Sequence, residues 1–224
     1  MLLRVAFAAL AFAIAAPGAM ALEGAIEGVA ILFPPPAGFC ELINTNSSDK
    51  RVLDTLGATI SKGGNRLISL SADCQQLADW RAGKRKLLDD LANYQTIGAS
   101  AAATKEGYDL VCTDLKTRGD EIVSRDKSDW KANIEQVNKR VQVNETTYGG
   151  YLGEDPRACY AALLQKLKTE AGTEKSVITL MATTIIKGKF IFVYRTETFA
   201  NADATNRALD KLKRTVAALH AANP

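Results

Sequence analysis

The chain has 224 residues, of which 28 are Lys or Arg and 25 are Asp or Glu, so its formal net charge is +3. Basic and acidic residues are interspersed, which argues against a nucleic-acid-binding protein, because such proteins concentrate basic residues on one face. The length suits a single domain with a sizeable core, which we place at residues 22–224.

The first 21 residues have the organisation of a secretory signal peptide. Arg4 precedes an apolar run from Val5 to Ala16, and Pro17-Gly18 is followed by the small-residue site Ala19-Met20-Ala21. This run is shorter than the roughly 20 residues that span a bilayer, which favours cleavage over anchoring. We therefore predict cleavage after Ala21, a periplasmic or secreted protein, and no transmembrane segment in the mature chain.

The first part of the mature chain predicts extended segments around one helix. Ala25 to Phe33 is extended and ends at a polyproline stretch, Pro34 to Pro36, that cannot continue a central strand. A helix begins at a capping Ser48 or Asp49 and ends at Gly63-Gly64, because Val52, Leu53, Leu56 and Ile60 recur at helical spacing. Arg66 to Cys74 then alternates between apolar and polar residues, which predicts a strand.

The middle of the chain predicts three helices and a strand. One helix begins at Thr104, and Ser128 to Gln142 forms a second, amphipathic one. A third begins at Asp155-Pro156, since proline is tolerated in the first turn, and Thr146 to Gly153 is a strand. The apolar faces of the first and third helices are Tyr108, Val111, Cys112 and Leu115, and Tyr160, Leu163, Leu164 and Leu167, with Cys159 at the margin of the second set.

The end of the chain predicts a β-hairpin followed by a helix. Val177 to Ile186 and Phe190 to Phe199 are β-branched and aromatic runs, and Gly188 between them can close a turn. Asn201 or Asp203 caps a last helix whose inward residues are Leu209, Leu212, Val216 and Leu219. Strands and helices do not follow a strict βαβ order, so we predict the α+β class, with an antiparallel sheet covered by helices.

Four cysteines remain after the predicted cleavage. An even number in an oxidising compartment indicates two disulfides, although four cysteines allow three connectivities. The spacings contain no C-x-x-C motif, which argues against a redox pair of the thioredoxin type and against a zinc ribbon. We favour the pairs Cys40 with Cys74 and Cys112 with Cys159, as structural disulfides.

The order of these elements resembles the PsbP-like α/β/α sandwich, which also occurs in exported bacterial proteins of the DcrB type. The resemblance rests on element order over most of the mature chain, and the insertion from Thr104 to Gln142 is longer than that pattern suggests. It implies an accessory or assembly factor that binds other proteins. It assigns a role to no residue.

Catalytic motifs give little support for an enzyme. His220 is the single histidine and lies near the end of the last helix, where we expect it to be exposed to solvent. Gly98 to Ala102 has only the first glycine of the serine turn of hydrolases. The sequence contains no zinc-protease, Walker or dinucleotide-binding motif, and we predict neither a metal nor another cofactor.

A recognition surface is best placed at the end of the strand that precedes Cys74. Asp73, Gln76, Trp80 and Arg81 bring charged, amide and aromatic side chains within a few residues of one another. Trp and Arg dominate interface hot spots, whereas the structural alternative has Trp80 packed on the core and Arg81 paired with an acid.

Two classes of function remain open at this point. The sequence favours a non-enzymatic envelope protein that binds a protein or lipid partner, with no nucleic acid. The alternative is a periplasmic hydrolase whose catalytic residues are scattered along the sequence.

Overall fold

The structure, a computed structural model, describes residues 22–98, 102–137, 141–169 and 172–224. The predicted signal peptide and most of the Gly98 to Ala102 turn lie outside the described residues. Four helices and nine strands follow one another within the described ranges. They are β1 (Leu22–Ile26), β2 (Val29–Phe33), β3 (Phe39–Glu41), α1 (Ser47–Lys62), β4 (Asn65–Asp73), α2 (Cys74–Arg81), β5 (Leu91–Ile97), α3 (Lys105–Val137), β6 (Val141–Glu154), β7 (Ala158–Thr169), β8 (Glu174–Ile186), β9 (Lys189–Thr198) and α4 (Ala202–Ala221). No helix in the described ranges is long and apolar enough to cross a membrane.

Seven strands form one antiparallel sheet in the order β3-β4-β5-β9-β8-β7-β6, and β1 and β2 form a separate hairpin. The predicted hairpin of β8 and β9 is confirmed. Lys187 and Gly188 close it with φ angles of 48° and 72°, in the left-handed region that a tight two-residue hairpin requires.

Helices cover both faces of the sheet. On one face, α4 and the β1–β2 hairpin pack on residues such as Tyr160, Leu180 and Val193. On the other face, α1 and α2 pack on Leu70 and α3 packs on Ala161. Neighbouring residues of a strand point to opposite faces, so β4 and β7 contribute to both layers. The predicted α+β class, an antiparallel sheet covered by helices in an α/β/α sandwich, is confirmed.

The last helix is predicted well from its sequence. Asn201 caps α4, accepting a hydrogen bond from Ala204 N at 3.0 Å. Leu212, Val216 and Leu219 are fully buried on the sheet, and Leu209 packs beside them. At α1 the cap is Asn46, which accepts from Ser48 N and Asp49 N, and the prediction of Ser48 or Asp49 as the cap is wrong.

The helix predicted after Asp155-Pro156 is wrong, because this segment is strand β7. Asp155 forms a turn between β6 and β7, in which its carboxylate accepts hydrogen bonds from Arg157 N and Ala158 N at 2.8 and 3.1 Å. Strand β7 lies between two helix layers, so apolar residues occur on both of its faces. A strand buried on both sides loses its alternation, and its apolar run then matches a helical spacing by coincidence.

The predicted helix from Ser128 to Gln142 is also wrong at its boundaries. Helix α3 extends from Lys105 to Val137, and strand β6 begins at Val141. Arg118 interrupts α3 with non-helical angles of φ −130° and ψ 17°. At this kink the Tyr148 hydroxyl, from β6, donates a hydrogen bond to the carbonyl oxygen of Leu115. A side chain that enters the hydrogen-bond ladder of a helix is a recognised cause of a kink.

Gly119→Ala should destabilise the protein by about 1–3 kcal/mol, because the added Cβ would overlap the Tyr148 ring. The matched control is Gly57→Ala in α1, where a Cβ meets nothing within 4 Å. The control should be neutral or stabilise by up to about 1 kcal/mol through helix propensity. Urea unfolding of both variants measures the change in the free energy of unfolding. A Gly119→Ala protein as stable as the Gly57→Ala protein would contradict the packing of Tyr148 against α3.

Both predicted disulfides are present, as Cys40–Cys74 and Cys112–Cys159. The first joins β3 to the start of α2. The second joins α3 to β7 and therefore links a helix to a strand. The wrong prediction of a helix after Asp155-Pro156 had implied a link between two helices.

Candidate functional site

Four carboxylates gather where β3 meets the central sheet on the α4 side. Glu41 lies on β3, Asp73 ends β4, Asp90 precedes β5 and Glu197 lies on β9. We call these four residues the carboxylate cluster. Asp73, Asp90 and Glu197 are neighbours electrostatically, since both Glu197 and Asp73 act to raise the pKa of Asp90, whereas Glu41 lies on the same face at the edge strand β3.

Two cations accompany the carboxylate cluster. Glu41, Ser71, Ala92 and Arg195 are in register across four strands, and the small Ser71 and Ala92 leave room for the long Arg195 side chain. Its guanidinium carbon lies 4.6 Å from the centre of the Phe39 ring, a cation–π contact. Arg195 Nε and Lys211 Nζ lie 3.3 and 2.9 Å from the same Glu197 oxygen. The side chains of Arg195 and Glu197 are only 8% and 9% exposed, so this pair belongs to the core.

Burial raises the pKa of two of the carboxylates, Glu41 and Asp90. It raises the pKa of Glu41 above the usual range of a glutamate. It also raises the pKa of Asp90, where the Glu197 charge adds to the effect and Arg195 and Lys211 oppose it. Asp90 is held in place by Gln76, whose Nε2 donates to Asp90 Oδ2 at 2.9 Å.

One oxygen of the carboxylate cluster is left without a partner. Among the described residues, Glu41 Oε1 is buried and accepts no hydrogen bond. Buried acceptors are nearly always paired, so such an atom needs an explanation. Three carboxylates, Asp73, Asp90 and Glu197, share the two cations Arg195 and Lys211, so negative charge is in excess on this face. The arrangement suits an ammonium or guanidinium group that donates hydrogen bonds to Glu41.

Comparison with known proteins gives no family for the chain. No protein-family profile and no curated protein matches it. Among solved structures it is similar to the Saccharomyces cerevisiae Ran-binding protein Mog1p and to a point mutant of Mog1. In both cases the identity is 8% and the TM-score 0.31, over 91% of this chain and 92% of the other. Neither similarity assigns a function to this chain.

Two of the four residues predicted for a recognition surface lie at the carboxylate cluster. Asp73 belongs to it and also caps α2, accepting a hydrogen bond from Gln76 N at 2.9 Å. The Gln76 side chain binds Asp90 through Nε2, and its Oε1 accepts from Asp89 N and Asp90 N. These two residues therefore support the loop that carries Asp90.

Trp80 and Arg81 lie at the other end of α2, and neither side chain binds a carboxylate of the cluster. Trp80 is half-buried and packs with Leu70 and Leu77. Arg81 pairs with Asp49 on α1 and donates from Nη2 to the Glu41 carbonyl oxygen at 3.2 Å. The structure thus gives both residues the structural partners that the sequence offered as the alternative to recognition.

Sequence analysis missed most of the carboxylate cluster and its cations. Arg195 and Glu197 interrupt the apolar run of β9 at two positions that share the inward face with Ile191 and Val193. Charged residues at inward positions of a buried strand are rare unless they are paired. That signal could have pointed to a buried polar network, although not to the partners Glu41, Asp90 and Lys211.

His220 is half-buried, so the prediction that it is exposed to solvent is wrong. Its Nε2 lies 2.9 Å from Thr184 Oγ1, and that hydroxyl donates its proton to the carbonyl oxygen of Arg157 at 2.7 Å. His220 must therefore be the donor in its bond with Thr184. Thr184 has no exposed surface, so the pair is not arranged as a base and a nucleophile.

The stability of the protein should fall as the pH drops below about 6.5, in part because of His220. Burial, assisted by the Arg157 charge, lowers the pKa of His220. The unfolded state, with its histidine pKa of about 6.5, then binds the proton more readily than the folded state. Urea unfolding between pH 7.5 and 5 measures the free energy of unfolding of the wild type and of His220→Gln, and the wild type should lose more of it. If the wild type and His220→Gln lose stability equally over this range, the assigned environment of His220 is wrong.

Proposed function

We propose that this chain is an exported, disulfide-stabilised accessory protein of the cell envelope that binds a protein partner. The partner places a basic side chain, an arginine or a lysine, against the carboxylate cluster. The resemblance to PsbP-like and DcrB-type proteins is part of this proposal and suggests a periplasmic, non-catalytic role; it rests on the order of the other elements, since β7 stands in place of one predicted helix.

The observation that carries the proposal is the unpartnered oxygen of Glu41. A buried carboxylate oxygen without a hydrogen bond costs about 1–3 kcal/mol, and more when the group is charged. A guanidinium or ammonium donor would satisfy it and would also neutralise part of the excess charge. Glu41 lies on the edge strand β3 and is half-buried, so the donor of the partner reaches the buried Oε1 when the Glu41 side chain turns towards solvent.

Export is supported by the signal-like residues 1–21 and by the two disulfides, which form in oxidising compartments. Cleavage after Ala21 would keep residues Leu22–Ile26 of β1 in the mature chain. N-terminal sequencing of protein from the envelope fraction should therefore begin at Leu22. An intact Met1 terminus in a membrane pellet would mean that the segment is an anchor.

The binding site is tested with the mature chain as bait in an envelope extract. Glu41→Gln removes the charge with little change in shape, and Asp54→Asn is the matched control, since Asp54 is an exposed acid on α1. The proposal expects one protein to be captured by the wild type and by Asp54→Asn and lost from Glu41→Gln. Its binding should also weaken with added salt. Equal capture by all three chains would place the interface elsewhere and overturn the proposal.

A hydrolase remains the second candidate, favoured by the raised pKa values of Glu41 and Asp90. Carboxyl groups with raised pKa values can serve as general acids. Purified mature chain is therefore also assayed on ester, amide and glycoside probes. Turnover that Glu41→Gln abolishes and Asp54→Asn preserves would replace the binding function by this one.

A further inference from the structure

The two disulfides differ in their exposure to solvent. Cys112 and Cys159 are 5% and 0% exposed. Cys40 and Cys74 are each half-buried, at the edge of the sheet. A thiolate reduces a disulfide by direct attack on sulfur, so its access to the sulfur controls the rate. In the folded protein, Cys40–Cys74 is therefore the more accessible of the two bonds.

The position of Cys74 favours breakage of the same bond. Cys74 is the first residue of α2, whose N-terminus is capped by Asp73. The partial positive charge of a helix N-terminus stabilises a thiolate at Cys74, and the adjacent Asp73 carboxylate offsets part of this effect. We take attack at the Cys40 sulfur, with departure of the Cys74 thiolate, as the direction of the reaction.

The Cys40–Cys74 bond holds part of the carboxylate cluster in place. Glu41 and Asp73 are the chain neighbours of Cys40 and Cys74. Strand β3 has only three residues, and it pairs with β4 on one side only. Other contacts that hold β3 include the hydrogen bond from Cys74 N to Gly38 O at 3.0 Å and the hydrogen bond from Arg81 to the Glu41 carbonyl oxygen. A short edge strand depends on such a cross-link more than a central strand does.

We propose that Cys40–Cys74 is a reversible redox latch on β3, which a dithiol reductant opens in the folded protein while Cys112–Cys159 stays closed. One thiolate of the dithiol attacks Cys40 Sγ, the disulfide breaks, and Cys74 leaves as a thiolate and takes up a proton. The second thiol then displaces Cys40 from the mixed disulfide. The dithiol is oxidised by two electrons to its disulfide, and Cys40 and Cys74 become two thiols.

Opening the latch releases β3 and moves Glu41 out of the carboxylate cluster. The loss of partner binding that follows rests on the proposed function, whereas the selective reduction does not. The latch would then couple the redox state of the compartment to the binding of the partner.

The selective reduction is tested with dithiothreitol on the folded mature chain. Free thiols are trapped with iodoacetamide at increasing times, and the remaining disulfides are reduced after unfolding and labelled with N-ethylmaleimide. Mass spectrometry should show Cys40 and Cys74 trapped at least about tenfold faster than the other pair. Equal trapping of the two pairs, or faster trapping of Cys112 and Cys159, overturns the proposal.

The effect on β3 is tested by hydrogen exchange on a Cys40→Ser/Cys74→Ser variant, which imitates the open latch. Protection of the amides of residues 39–42 should be lost, while the amides of β8 stay protected as in the wild type. Unchanged protection at residues 39–42 overturns the latch even if reduction is selective. If reduction and exchange behave as expected and Glu41→Gln still captures the partner, the proposed function fails and the latch stands.

Discussion

Asp49→Ala is expected to lower the free energy of unfolding by about 3 kcal/mol or more, because it breaks a buried ion pair. Asp49 has no exposed surface, and its carboxylate accepts hydrogen bonds from Arg81 Nε at 3.1 Å, from Arg81 Nη2 and from Ile43 N at 2.9 Å. These bonds join α1, α2 and the chain after β3. Because the Arg81 side chain is 30% exposed and can turn towards water, the loss should lie near the lower end of the usual 3–5 kcal/mol.

The matched control is Asp54→Ala on the same helix. Asp54 pairs with Lys50 at 2.7 Å, but both side chains are more than half exposed, so its loss should cost less than about 0.5 kcal/mol. Urea unfolding of both variants and of Asp49→Ala/Arg81→Ala measures the coupling. The double variant should lose less than the sum of the two single variants. Equal stability of Asp49→Ala and Asp54→Ala would contradict the assigned ion pair.

The fold could be predicted from the sequence wherever a local residue pattern fits only one type of secondary structure. The hairpin of β8 and β9 has β-branched strands around Gly188, and α4 has a capping Asn201 and an apolar stripe, so both were predicted correctly. The prediction for strand β7 was wrong because the strand is buried on both faces, so its sequence does not alternate between apolar and polar residues. A local pattern cannot say that a second layer covers the other face of a strand, since that depends on residues far along the chain.

The carboxylate cluster could not be predicted for a similar reason. Glu41 and Glu197 are separated by most of the chain, and they share one face only because β3 and β9 belong to one sheet. In contrast, Asp73, Gln76, Trp80 and Arg81 are close in sequence, so they were easy to group. They have different neighbours, and only Asp73 and Gln76 interact with the side chain of Asp90, whereas Arg81 pairs with Asp49 and binds the backbone of Glu41. Nearness along the chain is therefore a poor guide to a site that the sheet assembles.

Replacement of both Cys112 and Cys159 by Ala should lower the free energy of unfolding by about 3–4 kcal/mol through the entropy of the unfolded chain. The bond closes a long loop, with a sequence separation of 47, and it anchors α3 to the buried strand β7. It lies in a cluster with Leu115 and Ala161, on the face of the sheet opposite Glu41. Thermal unfolding should show a clearly lower melting temperature, with partner binding intact below the new transition.

The other disulfide supplies the comparison for this experiment. The Cys40–Cys74 bond closes a shorter loop, with a separation of 34, so Cys40→Ser/Cys74→Ser should cost somewhat less stability while it weakens partner binding. Cys112→Ala/Cys159→Ala should therefore lose stability and keep partner binding, whereas Cys40→Ser/Cys74→Ser should lose partner binding with a smaller loss of stability. If Cys112→Ala/Cys159→Ala melts near the parent temperature and loses binding while folded, that pair belongs to the working site, and its structural role must be abandoned.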